Sequence, residues 1–464
     1  MKRLIYYIFI LLLSITAIIL AFNSTIIPNI ILYLIILFYT INLVLILLLI
    51  TRKKKIFRII GIILSILILI ISLGIGYIYY RSNNFFNKIT NVEYEKSNYS
   101  VIVLKDSSYE KLEDLSNIGI YYNEIDKHYI EALDELNNKA TIYNNNYDNI
   151  LLLISDFING NNQSILINEN YIEIINETES KFKDNIRIID TITISSQKEK
   201  TLEGIDITKL ENFNIYISGI DTYGEISNVS RSDVNMLATI NIKDNKILLT
   251  NTPRDYYVQI AGTTGTKDKL THAGVYGINT SIKTIENLYD TKINYYVRVN
   301  FNSVIKLVDK IGGIDVYSDM EFGSGKYHVN YGWNHFDGEQ ALNYSRQRKI
   351  YLEGDRHRGQ NQQQVIEAII KKVTESNDIN YYVSILEAIE NNFQTNMDKK
   401  LINGFINLQV KNNYNWSVES IQVTGYDSAN YTYSYPGQLL YVMEPDYNSL
   451  ETAKNKIKEV LKNE

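Results

Sequence analysis

Apolar residues are spread very unevenly along this chain. Three unbroken apolar runs, roughly Leu4–Phe22, Ile26–Ile50 and Ile56–Tyr80, fill the first 80 residues, and each is long enough to cross a hydrocarbon core of about 30 Å. Beyond them the periods shorten. Between about Glu95 and Thr201, β-like runs at Ser100–Leu104, Ile118–Tyr122, Ile165–Asn168 and Ile186–Ile194 alternate with helical ones at Tyr129–Asn137 and Tyr147–Asn159, which predicts a small α/β unit. No cluster of catalytic residue types stands out in it, and polar Lys198–Thr208 marks its end. From Asn212 the pattern predicts strands at Phe213–Ser218, Val234–Ile242 and Ile247–Thr250, the last two joined by the turn Lys243-Asp244-Asn245-Lys246. Thr271 is placed to cap a helix with the apolar stripe Val275, Ile278, Ile282, Ile285 and Leu288, and a second helix near Ser303–Lys310 stops at Gly312-Gly313. About 380 residues after the spans exceed one ordinary core. The predicted organisation is therefore three transmembrane helices over 1–81, a small α/β accessory domain over 95–204 and a larger α/β domain over 205–464, whose ligands would sit beyond strand ends.

Charge orients the spans. Lys2 and Arg3 precede the first, Arg52, Lys53, Lys54, Lys55 and Arg58 separate the second from the third, and Asn23–Thr25 carries no cation. Cations concentrate on cytoplasmic loops, which predicts a multi-pass cell-membrane protein with a cytoplasmic N-terminus and everything after Arg81 outside the cell. The first 80 residues hold seven cations and no acid; a whole-chain charge of −6 thus leaves −13 for the remainder. So acidic a body is a poor partner for nucleic acid, which needs a broad basic surface. There is no cysteine, which excludes disulfides, thiolate catalysis and cysteine-ligated zinc.

Within that acidic body the arginines cluster. The chain has 12 arginines against 34 lysines, and four fall in the tract that runs from Leu342-Asn343-Tyr344-Ser345-Arg346-Gln347-Arg348 to Gly354-Asp355-Arg356-His357-Arg358. A planar guanidinium grips phosphate oxygens in pairs, which lysine cannot do. Read as extended, Asn343–Arg348 would put Arg346 and Arg348 on one face about 7 Å apart. Helical spacing of Val365, Ile366, Ile369 and Ile370 places Arg356 and Arg358 just ahead of a helix N-terminus, where backbone N–H groups also favour anions. Upstream, Arg231 and Asp233 enter a strand on one face, Asp221 ends the strand before it, and Arg254-Asp255 ends the strand after it. Carboxylates among arginines suit a hard divalent cation that shares phosphate oxygens. Asp–Arg pairing that merely ties strand ends together is the bland alternative, and for Asp255 the two weigh evenly.

Gly219-Ile220-Asp221-Thr222-Tyr223-Gly224, Ser230-Arg231-Ser232-Asp233, Thr252-Pro253-Arg254-Asp255, Lys269-Leu270-Thr271-His272-Ala273, Gly312-Gly313-Ile314-Asp315-Val316, Gly338-Glu339-Gln340-Ala341-Leu342 and the arginine tract together resemble the LytR-CpsA-Psr family, from about Ile205 to the C-terminus. Three spans and an extra domain are most similar to its streptococcal CpsA, or capsule, type. The resemblance implies an α/β/α domain with a long apolar pocket for a polyprenyl chain. It also implies transfer of a glycopolymer (capsule, teichoic acid or similar) from undecaprenyl pyrophosphate to the muramic acid 6-hydroxyl of peptidoglycan, assisted by Mg²⁺ or Mn²⁺. By motif, Asp221 and Asp233 resemble the metal-associated aspartates, and Arg231, Arg254, Arg346, Arg348, Arg358 and Gln362 the headgroup contacts, with Arg356 and Asp355 in the same tract and Lys269 in a neighbouring motif. Gln347 and His357 depart from the pattern. Phosphoryl transfer relies on charge neutralisation and positioning. Arg254, Arg346 and Arg348 would serve the leaving group, Asp233 would be the first choice as base and His272 the second, although a lone histidine after a helix-capping threonine is more often structural. The competing readings are a lipid-headgroup scaffold that recruits capsule synthesis proteins, and a lipid pyrophosphatase with water as acceptor.

Overall fold

The computed structural model describes residues 2–23, 29–52, 54–90, 94–197, 211–220, 225–324, 326–351, 354–389 and 392–462. Asp221, Lys53, the stretch after Asn23 and the boundary read at Lys198–Thr208 lie outside the described residues. Two compact units form, one of residues 1–91, 376–390 and 397–413 and the other of 92–375, 391–396 and 414–464.

The first unit opens with α1 (Lys2–Asn23), α2 (Asn29–Thr51) and α3 (Lys55–Thr90). Stretches Ile5–Asn23, Ile31–Leu49 and Lys55–Tyr80 are long and apolar enough to cross a membrane, with mean hydropathies of 2.6, 2.7 and 2.9. Most of their large side chains point outward, as a lipid-facing bundle requires, while Tyr39, Ile46 and Ile68 are buried between helices. Tyr39 Oη and Ser72 Oγ meet at 2.8 Å, a polar pairing between α2 and α3.

The second unit begins with the accessory domain: β1 (Tyr94–Leu104), β2 (Asn117–Tyr121), α4 (Tyr129–Lys139), β3 (Tyr143–Tyr147), α5 (Ile150–Ile158), β4 (Ser164–Asn168), α6 (Asn170–Thr178) and β5 (Ile186–Gln197). Its strands lie in the order β3-β2-β4-β1-β5, with β1 antiparallel to both neighbours. Strand alternation sends Val101 and Val103 towards α4, and Ile102 towards α5 and α6. Two details correct the sequence reading. Tyr147 closes a strand rather than opening a helix, because Asn149 caps α5 through Leu151 N at 2.8 Å. Helix α6 is missed in the sequence reading, because its apolar run Tyr171–Ile175 is short and interrupted by Glu173.

The larger domain follows with β6 (Asn212–Gly219), β7 (Val234–Asn241), β8 (Lys246–Thr252), β9 (Tyr257–Val258), β10 (Asp268–Lys269), α7 (Ile278–Tyr289), β11 (Tyr295–Val299) and α8 (Phe301–Lys310). Next come β12 (Ile314–Ser318), β13 (Phe322–Ser324), β14 (Tyr327–Val329), β15 (Gly332–Phe336), α9 (Gly338–Arg346) and α10 (Asp355–Thr374). After them run α11 (Ile379–Ile389), β16 (Phe393–Thr395), α12 (Lys399–Asn412), β17 (Ser417–Gln422), β18 (Gly425–Tyr431), β19 (Leu439–Pro445) and α13 (Tyr447–Leu461); α11 and α12 belong to the first unit. The central sheet has the order β16-β11-β6-β7-β8-β17. Tyr216, Leu237 and Leu248 face α7 and α13, and Met236, Ala238, Ile247 and Leu249 face α10, so the sheet is buried on both sides in an α/β/α sandwich.

Three local expectations change. Asn343–Arg348 is not extended: Asp337 and Gln340 form a reciprocal cap, with Gln340 N donating to Asp337 Oδ1 at 2.8 Å, and the buried pair Ala341 and Leu342 carries α9 through Arg346. Arg356 and Arg358 lie inside the first turn of α10, not ahead of it. The stripe from Val275 to Leu288 belongs to two elements, a 3-10 turn over Leu270–Tyr276 and then α7, because Gly277 between them takes φ 97°.

Candidate active site

Strands β6, β8 and β11 run the same way, and β7 runs against them, so the ends at Gly219, Thr252 and Val299 and the start at Val234 share one edge. Backbone bonds lock the segments that leave this edge. Asp233 N donates to Gly219 O at 2.8 Å, Ser232 N to Thr271 O at 3.2 Å, and Thr271 N to Arg254 O at 2.8 Å. Ser232 turns inward to Ser218 Oγ at 2.8 Å, which leaves Arg231 and Asp233 on the opposite side, as strand alternation predicts. A Cβ on Gly274 would lie 2.5 Å from Ser230 O and 2.7 Å from Ser232 N, so this glycine lets the 3-10 turn touch the segment that carries both residues. Gly274→Ala is expected to destabilise the protein by about 1–3 kcal/mol through overpacking. Thermal unfolding of the detergent-solubilised chain checks this, and an unchanged midpoint would mean the segment moves aside freely.

A cavity of about 350 Å³ opens at this edge. It is lined by Arg231, Asp233, Arg254, Arg346, Arg348, Arg358 and Gln362, by Ile220, Val234, Val299, Asn300, Phe301, Val304 and Leu342, and by Glu173, Asn176 and Glu177 of α6. Each group arrives by a different route. Arg346 is the last residue of α9, and its guanidinium lies 4.2 Å above the Phe301 ring, a cation–π seat that fixes its plane. Arg358 and Gln362 are four apart on α10 and share a face. Their neighbours anchor the helix: Gln363 Nε2 donates to Leu249 O at 3.3 Å and Asn361 Nδ2 to Tyr344 O at 3.1 Å.

Charges alternate around the cavity floor. Arg254 Nη1 donates to Asp233 Oδ1 at 3.1 Å, and Thr271 Oγ1 to the same oxygen at 3.2 Å. Arg254 Nε lies 3.5 Å from Asp255 Oδ2, Lys269 Nζ lies 3.5 Å from Asp255 Oδ1 and 2.6 Å from Glu177 Oε2, and Glu177 Oε1 lies 3.3 Å from Arg231 Nη1. Burial by itself would raise the Asp233 carboxyl, but the charges of Arg254, Arg231 and Arg358 outweigh it and hold the group below the usual aspartate range. Asp233 is therefore an ionised acceptor at neutral pH.

The predicted residues sort clearly by place. Arg231, Asp233, Arg254, Arg346, Arg348, Arg358 and Gln362 converge, and Asp255 and Lys269 stand behind them. Arg356 does not line the cavity; its carbonyl accepts Gln422 Nε2 at 3.2 Å. His272 is fully buried away from the cavity, with Nδ1 2.6 Å from Asp268 Oδ1 and 2.8 Å from Ser434 Oγ. Asp221 and the side chain of Asp355 lie outside the described residues. His357, a departure from the family pattern, stacks on Tyr351 at 3.4 Å between ring centroids. Glu173 and Glu177 escape the sequence reading altogether; their only signal is an acidic pair four apart opposite the buried Tyr171, Ile174 and Ile175. Nor does every arginine of this domain reach the cavity: Arg298 is buried in β11, its Nη1 3.8 Å from Glu95 Oε1, and burial lowers its pKa.

Among the described residues no group of three or more metal-ligating side chains forms. Mg²⁺ needs only one or two carboxylates with phosphate oxygens and water, so the ionised Asp233 fits as one protein ligand.

Residues 173–456 match the LytR_cpsA_psr family, and the chain belongs to it. It is 35% identical over 215 residues to a polyisoprenyl-teichoic acid–peptidoglycan teichoic acid transferase TagU of Bacillus mycoides, a match that covers 46% of this chain and 70% of that one. It is 37% identical to the TagU of Bacillus anthracis over 42% of this chain and 63%, under two thirds, of the relative. The crystal structure of B. subtilis TagV aligns with a TM-score of 0.48 at 28% identity, over 55% of this chain and 98% of that one.

Proposed function

We propose that the protein transfers a glycopolymer from undecaprenyl pyrophosphate to a hydroxyl of peptidoglycan, leaving a phosphodiester. The observation that carries this reading is the convergence of five arginines and one ionised aspartate on a single cavity at the sheet edge. Relatives named for transfer of polyisoprenyl-linked teichoic acid to peptidoglycan support it. The two phosphates would lie among Arg231, Arg254, Arg346, Arg348 and Arg358, and the apolar wall of Ile220, Val299, Val304 and Leu342 would take the first isoprene units.

In the reaction the acceptor oxygen bonds to the phosphorus that carries the glycopolymer. The bond from that phosphorus to the bridging oxygen breaks, and the electron pair leaves with polyprenyl monophosphate. Asp233 accepts the hydroxyl proton, and Arg254, Arg346 and Arg348 meet the charge that grows on the leaving phosphate. A bound Mg²⁺ or Mn²⁺, held by Asp233 and, by its motif, Asp221, would supply further neutralisation of the phosphate oxygens.

The acceptor exists outside the cell, so the catalytic domain belongs there, with the cationic loop around Lys54 and Lys55 in the cytoplasm. Protease added to wall-stripped cells is expected to digest the region after Arg81 and spare a tag inserted near Lys54. A protected C-terminus would defeat both orientation and transfer. The direct test incubates the full-length protein in lipid nanodiscs with labelled donor and peptidoglycan. Label on peptidoglycan supports transfer; release of phosphate alone would make the protein a pyrophosphatase, and binding without turnover a scaffold.

A further inference from the structure

We propose that a second cavity, between the accessory domain and residues 228–233, is the cleft that receives the acceptor, a glycan strand rich in acetamido and hydroxyl groups; this deepens the transferase reading above and rests on it. The cavity has a volume of about 730 Å³ and joins the phosphate cavity at Glu173, Arg231 and Asp233, which line both. Asp233 thus stands where the two meet. A hydroxyl that enters through the second cavity reaches the carboxylate that takes its proton, while its oxygen bonds to phosphorus held in the first. Donor and acceptor need not pass through the same opening.

The lining suits a sugar rather than a second phosphate. Asn98, Asn170 and Asn228 line it with carboxamides, groups that both donate and accept as acetamido and hydroxyl groups require; Asn170 gives its Nδ2 hydrogens to Asn168 Oδ1 and Val229 O and so serves as a fixed wall. Ile188, 41% exposed, offers an apolar surface to the C–H face of a pyranose. Cations are few: Arg231 belongs to the junction, and Lys183 is paired with Glu173.

The walls are built, not incidental. Residues 225–229 pair with the start of β1, where Lys96 N donates to Ser227 O at 3.0 Å and Val229 N to Lys96 O at 2.8 Å. Asn170 Nδ2 donates to Val229 O at 3.1 Å. The accessory domain therefore holds in place the very segment that leads into Arg231 and Asp233. That gives this otherwise unassigned domain a task in the reaction.

The test uses full-length protein in nanodiscs and two probes, a soluble peptidoglycan tetrasaccharide without lipid and a fluorescent polyprenyl pyrophosphate analogue. Ile188→Trp, at an exposed position, is expected to weaken tetrasaccharide binding and raise the acceptor KM by about tenfold or more, with analogue binding within about twofold of wild type. Asn228→Ala is the second variant, with the same expectation, should Ile188→Trp lose analogue binding and so show misfolding. Wild-type protein that fails to bind the tetrasaccharide saturably, or folded variants that bind it as wild type does, would overturn the cleft. Transfer at an unchanged acceptor KM in both variants would sink the cleft and leave the transferase standing. Saturable, variant-sensitive tetrasaccharide binding with donor hydrolysis alone would support the cleft and sink the transferase.

Discussion

Arg254→Ala is expected to abolish transfer while the protein keeps its fold. The guanidinium sits between Asp233 and Asp255 with 16% of its side chain exposed, so it can turn some of its five donors to phosphate without leaving its carboxylates. A charge-assisted hydrogen bond contributes about 1.5–3 kcal/mol, and two lost together would lower the rate by roughly 10²–10⁴-fold. Arg254→Lys restores the charge but not the fork, and should recover little. There is a second signature. Asp233 is held below the usual aspartate range although burial pushes the other way, and Arg254 is the largest of the opposing charges. Removing it must raise the Asp233 carboxyl. Wild-type activity should therefore be insensitive to this group above the ordinary aspartate value of about 3.9, while the residual activity of Arg254→Ala should fall off at a higher pH. Near-normal transfer by the alanine variant, or an unmoved acid limb, would remove Arg254 from the leaving-group role.

Asp233→Asn is expected to match that loss from the other side of the same ion pair. The amide keeps the volume and can still accept from Thr271 Oγ1, but it can neither take a proton nor hold a divalent cation well. A lost general base costs about 10²–10⁴-fold. Stability shifts too: a depressed carboxyl stabilises the fold above its unfolded value and loses that contribution as the pH falls through its folded value. A carboxamide in place of the carboxylate should flatten this part of the stability profile. Titrating Mg²⁺ against transfer checks the metal: the wild type should respond and the variant should not. Wild-type transfer that persists in excess chelator would take the cation out of the mechanism and leave Asp233 as base alone.

Much of the arginine site is legible in the sequence because it is written as short local motifs at strand ends. Arg231 and Asp233 two apart, and Arg254 after a strand of Ile247, Leu248 and Leu249, need only alternation to be placed. Arg346 and Arg348 reach the expected cavity on a different backbone. Their i, i+2 spacing suggests a strand, but the capping signal of Asp337 with Gln340 starts a helix well before them and carries it through the first of the two arginines. Glu177 cannot be found by local pattern. Its importance comes from a contact with Lys269, 92 residues away, and one helical acid looks like any solvated position until the tertiary fold brings it to a cation. His272 is the reverse case: a polar residue in a functional motif that the fold spends on Asp268 and Ser434, the structural role that a lone histidine most often has.

The accessory domain is joined to the catalytic one by more than a surface. Val275, Tyr435 and Leu440 of the larger domain lie in one apolar cluster with Ile154, Phe157 and Ile165 of the smaller, and Tyr276 Oη meets Tyr171 Oη at 3.2 Å while Thr178 Oγ1 donates to Tyr435 Oη at 3.3 Å. Parts that share a core melt together. Heating should therefore show one cooperative transition for the pair rather than a small domain that loosens first. Glu177, carried on α6 between those two hydroxyl contacts, would leave Lys269 in that same transition, so a cavity-forming change such as Phe157→Ala would inactivate the enzyme at a lower temperature without touching a single arginine of the site.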